Sequence, residues 1–318
     1  MRGVFLDSAT VDRHDLDLGA LKSSLPDWSI RSATPVNKVE EAIQNADIVI
    51  SNKVPLNRET IQQADSLKLI CVAATGTNNV DLAAAAEQKI TVCNVRGYAT
   101  TSVVEHVFTL ILALTRHLHD YRAAINRGKW QAAESFCLLD YPIRELSGQT
   151  LGIIGYGELG SAVATMGRSF GMNILVAQRP GGAPQAGRLP LEQLLSQSDI
   201  ISLHCPLNDT TRNLIDHPEF ALMGKGTLLI NTARGGIVNE TALREALLTR
   251  HIAGAAIDVL SEEPPHQGNP LLDEAVPNLI VTPHIAWASI TARQSLINEL
   301  TENIHAFLKG RPRNVVHA

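Results

Sequence analysis

From about residue 150 onward, short runs of consecutive apolar residues alternate with stretches whose apolar positions recur every three or four residues. The runs predict strands at 151–155, 173–177, 199–203, 227–231, 253–257 and 278–282, because a strand covered on both faces lacks the polar alternation of a half-exposed one. The periodic stretches predict helices near 160–170, 190–197, 217–223 and 239–249, with a looser connection through 261–275. Strands separated by helices pair in parallel, since a parallel neighbour can be reached only by a crossover. Six such strands are expected to complete the two halves of a doubly wound sheet.

The first 95 residues repeat the alternation on a smaller scale, with strands predicted at 3–6, 28–32, 47–51, 68–73 and 90–93 and helices near 16–24, 36–44, 57–64 and 81–87. They predict a second, flavodoxin-like α/β domain. A long amphipathic helix follows. Ser102 and Glu105 have capping-box spacing at its start, and Val103, Val107, Leu110, Ile111, Leu114 and Leu118 form an apolar face suited to lie between domains. The segment 289–308 is again helical in pattern and is expected to return and cover the first domain.

Composition narrows the function classes. A chain of 318 residues that is 45% apolar can build two cores. A net charge of −5, with no cluster of Lys and Arg, argues against nucleic acid as a partner. Cys71, Cys93, Cys137 and Cys205 are scattered without C-x-x-C spacing; they read as reduced thiols, and no metal site is expected. No secretory signal pattern and no apolar run of about 18 residues occurs, so no membrane association is expected and the location expected is cytoplasmic.

The first predicted strand of the second half runs into Gly155-Tyr156-Gly157-Glu158-Leu159-Gly160 and then a helical pattern. This is the G-x-G-x-x-G fingerprint in its strand–turn–helix context, in which free N–H groups at a helix N-terminus receive a pyrophosphate. The fold class is therefore α/β, with two doubly wound parallel-sheet domains. A Rossmann dinucleotide-binding domain over 98–285 is inserted into a flavodoxin-like substrate domain made of 1–97 and 286–318.

Ligands of such sheets bind beyond the carboxyl ends of the strands. That rule selects Thr232-Ala233-Arg234-Gly235-Gly236, then Asp258 with Glu263-Pro264, then Pro283-His284, which three strands deliver to one sheet edge. Each group has a task on a 2-keto or 2-hydroxy acid. Arg234 offers a planar charged fork for a carboxylate and polarises the adjacent carbonyl. His284 exchanges a proton with the forming alkoxide. Glu263 binds the far ring nitrogen of His284 and favours the imidazolium. Taken singly, an arginine or a histidine after a strand is more often a surface charge or a structural residue; their convergence is the argument. His204, which also follows a strand, is the minor rival to His284, and His106 reads as a packed or interface histidine on the long helix.

The chain resembles the D-isomer-specific 2-hydroxyacid dehydrogenases over essentially its whole length. The resemblance rests on Ala73-Ala74-Thr75-Gly76-Thr77-Asn78-Asn79-Val80-Asp81, the glycine motif, Leu203-His204-Cys205-Pro206-Leu207, 229–236, 258–264 and Thr282-Pro283-His284-Ile285. It implies Arg234, Glu263 and His284 as the catalytic trio. It implies backbone groups at Ala74, Thr75 and Gly76, with Arg234 and His284, as the substrate site. For the cofactor it implies Gly155, Gly157, Glu158, Leu159, Gly160, Gln178, Arg179, Cys205, Thr232, Ala233 and Asp258, the last touching the nicotinamide amide. It further implies two domains that close over substrate and cofactor, and a homodimer with an arm around 120–147. The segments 94–98, 136–140 and 284–287 are most similar to the glycerate dehydrogenase or hydroxypyruvate reductase branch, so a small substrate such as hydroxypyruvate, D-glycerate or glyoxylate is expected. The alternatives are a dehydrogenase for another acid such as 3-phosphoglycerate, and a dinucleotide-sensing, non-catalytic corepressor-like protein.

Two further expectations concern selectivity. Phe136-Cys137-Leu138-Leu139 with Trp287 is expected to cap a small pocket, and Asp140 to repel a second anionic group. Gln178, eighteen residues after Gly160, stands where the family usually has the acid that binds the adenosine ribose, with Arg179 and Arg188 nearby. A neutral amide repels no 2′-phosphate, so NAD or NADP with relaxed preference is expected.

Overall fold

The structure, a computed structural model, describes residues 1–317. The chain divides into two compact units, Met1–Ala99 with Trp287–Ala318 and Thr100–Ala286.

The first unit contains β1 (Arg2–Phe5), α1 (Gly19–Ser23), β2 (Asp27–Ile30), α2 (Val39–Ile43), β3 (Ile48–Ser51), α3 (Arg58–Gln62), β4 (Leu69–Val72), α4 (Leu82–Glu87) and β5 (Thr91–Cys93). All five strands are parallel, in the order β2-β1-β3-β4-β5. The central strands β3 and β4 are buried along their whole length, which is why they read as unbroken apolar runs. The buried carboxylate of Asp7, just past β1, accepts from the backbone N–H groups of Asn52, Lys53 and Val54 and so joins the ends of β1 and β3. The last helix of the chain, α11 (Ile290–Leu308), lays Leu296, Ile297, Leu300 and Ile304 onto the face of this sheet that carries Phe5, Ile48, Ile50 and Cys71. Arg293 pins it there with a two-bond fork to Asp15, at 2.8 and 2.6 Å, which holds the Asp15 carboxyl down at about 2.

The second unit contains α5 (Thr100–Thr115), α6 (Leu118–Asn126), β6 (Thr150–Ile154), α7 (Glu158–Ser169), β7 (Asn173–Val176), α8 (Leu191–Gln197), β8 (Ile200–Leu203), α9 (His217–Leu222), β9 (Leu228–Asn231), α10 (Glu240–Leu248), β10 (Gly254–Ile257) and β11 (Leu279–Val281). The sheet is parallel, in the order β11-β10-β9-β8-β6-β7. All six strands expected of this half pair in the one sheet. Beside β7 a single further parallel bridge joins Ala177 to Leu189; the residues between, 180–187, include three glycines and two prolines and no run able to hold a ladder. The helix α5 begins three residues before the capping-box spacing predicts, so Ser102 lies inside its first turn and Glu105 is exposed. Among the described residues no helix is long and apolar enough to cross a membrane.

Candidate active site

The glycine turn is dictated by contact. Gly155 has φ +93°, and a Cβ there would lie 2.4 Å from the backbone nitrogen of Cys205. At Gly160 a Cβ would lie 2.0 Å from the carbonyl oxygen of Gly155. No side chain other than hydrogen fits either place. Gly157 differs: nothing lies within 4 Å of where its Cβ would be, so open space adjoins the start of α7, which no side chain caps. Here the first backbone N–H groups of α7, at Glu158 and Leu159, meet that space, and the Glu158 carboxylate accepts from the Thr100 hydroxyl. A phosphate fits such a cradle in size and in charge.

Past β9, the buried Asn231 fastens its own loop, its Nδ2 donating to the Arg234 oxygen at 2.9 Å and its Oδ1 accepting from the Ala233 nitrogen at 3.0 Å. Arg234 Nη1 donates to the Ala233 oxygen, which sets the direction of the guanidinium. Thr232 and Ala233 are each 9% exposed, and the buried Thr232 Oγ1 has no hydrogen-bond partner among the described residues. A buried hydroxyl without a partner costs stability unless a ligand supplies one. With the open cradle at Gly157, this orphan shows that the residues present fit a dinucleotide. The loops after β9 and β10 then meet at Gly235, where a Cβ would sit 1.8 Å from the Leu260 oxygen.

Past β10 and β11 come the acid and the histidine. His284 Nδ1 lies 2.6 Å from Glu263 Oε2, and Glu263 Oε1 accepts from the Leu260 nitrogen at 2.9 Å. Both carboxylate oxygens are thus placed, and Glu263 orients the ring through its Nδ1. The Glu263–Pro264 peptide is cis, and His284 has φ +55°. Arg234, Glu263 and His284 accordingly stand on adjacent loops at one edge of one sheet.

Several expected residues stand elsewhere or do something else. Asp258, expected at the nicotinamide amide, has a fully buried carboxylate committed to the loop after β11: Oδ1 accepts from Thr282 Oγ1 (2.5 Å) and the Ile285 nitrogen (2.9 Å), and Oδ2 from the Ala286 nitrogen (2.9 Å). All three of these donors come from the one loop. Asp140 does not present the free negative charge expected of it, because Lys129 pairs with it at 2.8 Å. Phe136 and Leu139, expected to cap a pocket, are 90% and 83% exposed, and Trp287 packs edge-on against Tyr98 in the first unit. Cys205 is buried, which pushes its thiol up to about 11 and leaves it an inert lining.

Gln178 is half-buried, its backbone N–H donating to the Leu189 oxygen, and Arg179 is exposed. Arg188 lies over the Tyr156 ring at 5.7 Å. Ala74, Thr75 and Gly76 belong to the first unit, just past β4. Their loop is held by Asn94 Nδ2 on the Thr75 oxygen and by Thr75 Oγ1 on the Val95 oxygen, with the backbone N–H groups of Thr75 and Gly76 unpartnered among the described residues. Sequence reasoning missed Asn231, and it reads His106 only as a packed or interface histidine; neither lies in a spacing that identifies its bonds.

Residues 108–286 match the family described as D-isomer specific 2-hydroxyacid dehydrogenase, NAD binding domain. A glycerate dehydrogenase of Methylorubrum extorquens is 46% identical over 310 residues, covering 97% of this chain and 98% of that protein. A hydroxypyruvate reductase of Blautia hydrogenotrophica is 36% identical over 324 residues, covering all of both chains. Among solved structures, an acyclic imino acid reductase in complex with NADPH and D-Arg superposes with a TM-score of 0.88 at 27% identity, covering 99% of this chain and all of that one.

His204 is excluded as the proton donor by its surroundings. Its Nε2 shares a hydrogen bond with Ser202 Oγ at 2.8 Å, its Nδ1 is buried without a partner, and burial pushes the imidazole down to about 4. Unfolding returns it to about 6.5. Above that pH both states are neutral; between 6.5 and 4 only the unfolded chain takes the proton, so stability falls as the pH falls through this window. We expect this one ring to account for a loss of roughly 3 kcal/mol between pH 7 and 4. Urea unfolding of wild type and His204→Gln across that range measures it, and parallel curves for the two proteins would exclude it.

Proposed function

The chain belongs to the D-isomer specific 2-hydroxyacid dehydrogenases, and we propose that it interconverts hydroxypyruvate and D-glycerate, with glyoxylate as a second substrate. The observation that carries the chemistry is the His284–Glu263 pair at 2.6 Å on the sheet edge that also bears Arg234. The glycerate dehydrogenase and hydroxypyruvate reductase relatives, which span the whole chain, support the choice of acid.

Arg234 holds the substrate carboxylate with its fork and polarises the adjacent carbonyl, a planar, permanently charged group suited to both tasks. His284 gives a proton from Nε2 to the oxygen of the reduced carbon, and takes it back in the oxidative direction. Glu263 keeps the other ring nitrogen protonated and stabilises the imidazolium from which that proton leaves. The nicotinamide dinucleotide supplies or accepts the hydride when bound. Its pyrophosphate is held by the turn from Gly155 to Gly160, and Thr232, Ala233 and Cys205 line its path. Gln178 bonds the adenosine ribose without repelling a 2′-phosphate, so both NAD and NADP serve.

The segment after α6 carries exposed Trp130, Phe136 and Leu139. Isolated exposed apolar residues are ordinary, but large ones gathered in one irregular segment mark a contact surface. We assign that surface to a second copy of this chain, the arm that the family resemblance implies.

Three outcomes test the reading. His284→Ala lowers kcat for hydroxypyruvate by a factor of about 10²–10⁴, and Arg234→Ala raises KM as well; near-native turnover without the imidazole would sink the assignment. The ratio of kcat/KM with NADH to that with NADPH is within about a hundredfold, and Gln178→Asp moves it toward NADH by restoring a charge that repels the 2′-phosphate; an unmoved ratio contradicts the role given to Gln178. Sedimentation equilibrium returns a dimer that Phe136→Ser with Leu139→Ser weakens, and a wild-type monomer at micromolar concentration would refute the arm.

A further inference from the structure

The His284 loop is tied to the long helix by a chain of hydrogen bonds whose directions follow from the groups themselves. The carboxylate of Asp258 can only accept, so Thr282 Oγ1 must spend its single hydrogen on Asp258 Oδ1. The other group on that hydroxyl, His106 Nε2 at 3.1 Å, must therefore be the donor. The relay runs from His106 Nε2–H to Thr282 Oγ1–H to Asp258 Oδ1, and the same carboxylate collects the N–H groups of Ile285 and Ala286. Four residues before His106, one turn earlier on α5, Ser102 Oγ donates to the Ala286 oxygen at 2.8 Å. One face of α5 thus grips both ends of the segment 282–286.

Between those ends stands His284, whose backbone N–H donates to the Asp258 oxygen at 2.8 Å and whose φ is +55°. An L residue in that region costs about 1 kcal/mol or more and stays there only where its surroundings hold it. The bonds to Asp258 on either side do so, and they aim the ring at Glu263. We infer that Thr282 and His106 are positioning residues for proton transfer by His284, acting through Asp258 and touching neither substrate nor cofactor. The inference rests on the proton-transfer role proposed for His284.

Thr282→Val keeps the branched shape and removes the hydroxyl, so Asp258 loses a donor and His106 an acceptor; Thr282→Ser keeps the relay. The expected result is a fall in kcat of about 10- to 100-fold for Thr282→Val, the size of effect that follows a small misplacement of a reacting group. KM for hydroxypyruvate and Kd for NADH, the latter by fluorescence titration, change less than about threefold, and Thr282→Ser recovers kcat to within about threefold. His106→Leu falls in the same direction, and His106→Gln, which keeps an N–H donor, falls less. A spectroscopic reading independent of turnover is the downfield proton resonance of the His284 Nδ1–H on Glu263, assigned by its loss in His284→Ala; it weakens or shifts in Thr282→Val and is kept in Thr282→Ser. An unchanged kcat in Thr282→Val, a Thr282→Ser protein as impaired as Thr282→Val, or NADH affinity falling in step with kcat overturns the inference. If wild type reduces no 2-keto acid, the reading of function fails by itself, and the resonance still decides whether Thr282 positions the ring.

Discussion

A single buried carboxylate organises the reactive edge of the second unit. Asp258 has no solvent exposure on its side chain, and a charge so placed is tolerated only when donors surround it. The chain satisfies that demand with two successive backbone N–H groups, from Ile285 and Ala286, and the hydroxyl of Thr282. To deliver them, the segment after β11 must fold back over the end of β10, and that turn places His284 in the left-handed region beside Glu263. The position of the His284 ring therefore follows from the hydrogen-bonding demand of a different residue.

The neighbouring loops obey a steric rule instead of an electrostatic one. Gly155, Gly160 and Gly235 each stand where a methyl group would fall within 2.4 Å of a backbone atom, so the loops after β6, β8, β9 and β10 come as close as main chains can. Close approach leaves little room for side chains and turns polar backbone groups outward at the strand ends. Where a side chain does remain, as at Thr232, its buried hydroxyl lacks a partner. The edge offers backbone donors held in place by these contacts, which favours an anionic ligand whose binding then needs little reorganisation.

Most of this was legible in the amino-acid order. The strands of both sheets fall within two residues of their predicted starts, because strands buried on both faces leave unbroken apolar runs, and Arg234, Glu263 and His284 follow from the rule that such sheets bind ligands at their carboxyl ends. What stayed hidden depends on direction and pairing. Nothing in the order of residues shows that the Asp258 carboxylate is committed to the loop after β11, that Lys129 offsets Asp140, or that Ala177 and Leu189 form a further bridge. His106 reads as a packed or interface histidine; its bond to Thr282 is a contact across 176 residues, which no local periodicity encodes. The start of α5 is hidden for a related reason, since the Ser102 hydroxyl serves Ala286 and not the helix end.

The same logic of committed lone pairs explains why Glu263 rather than the adjacent Glu262 does the work at His284. Glu263 Oε1 is fixed by the Leu260 nitrogen, within the loop that Gly235 presses against Leu260. With one oxygen so held, the other can approach His284 Nδ1 along only one direction, and the ring plane follows. A carboxylate free to rotate would pay side-chain entropy each time it met the ring. Anchored to the backbone, it is oriented before any substrate arrives. Glu263 thereby links a packing constraint, the contact of two loops at a glycine, to the orientation of one imidazole ring, and that link lets a parallel sheet present His284 with a defined face.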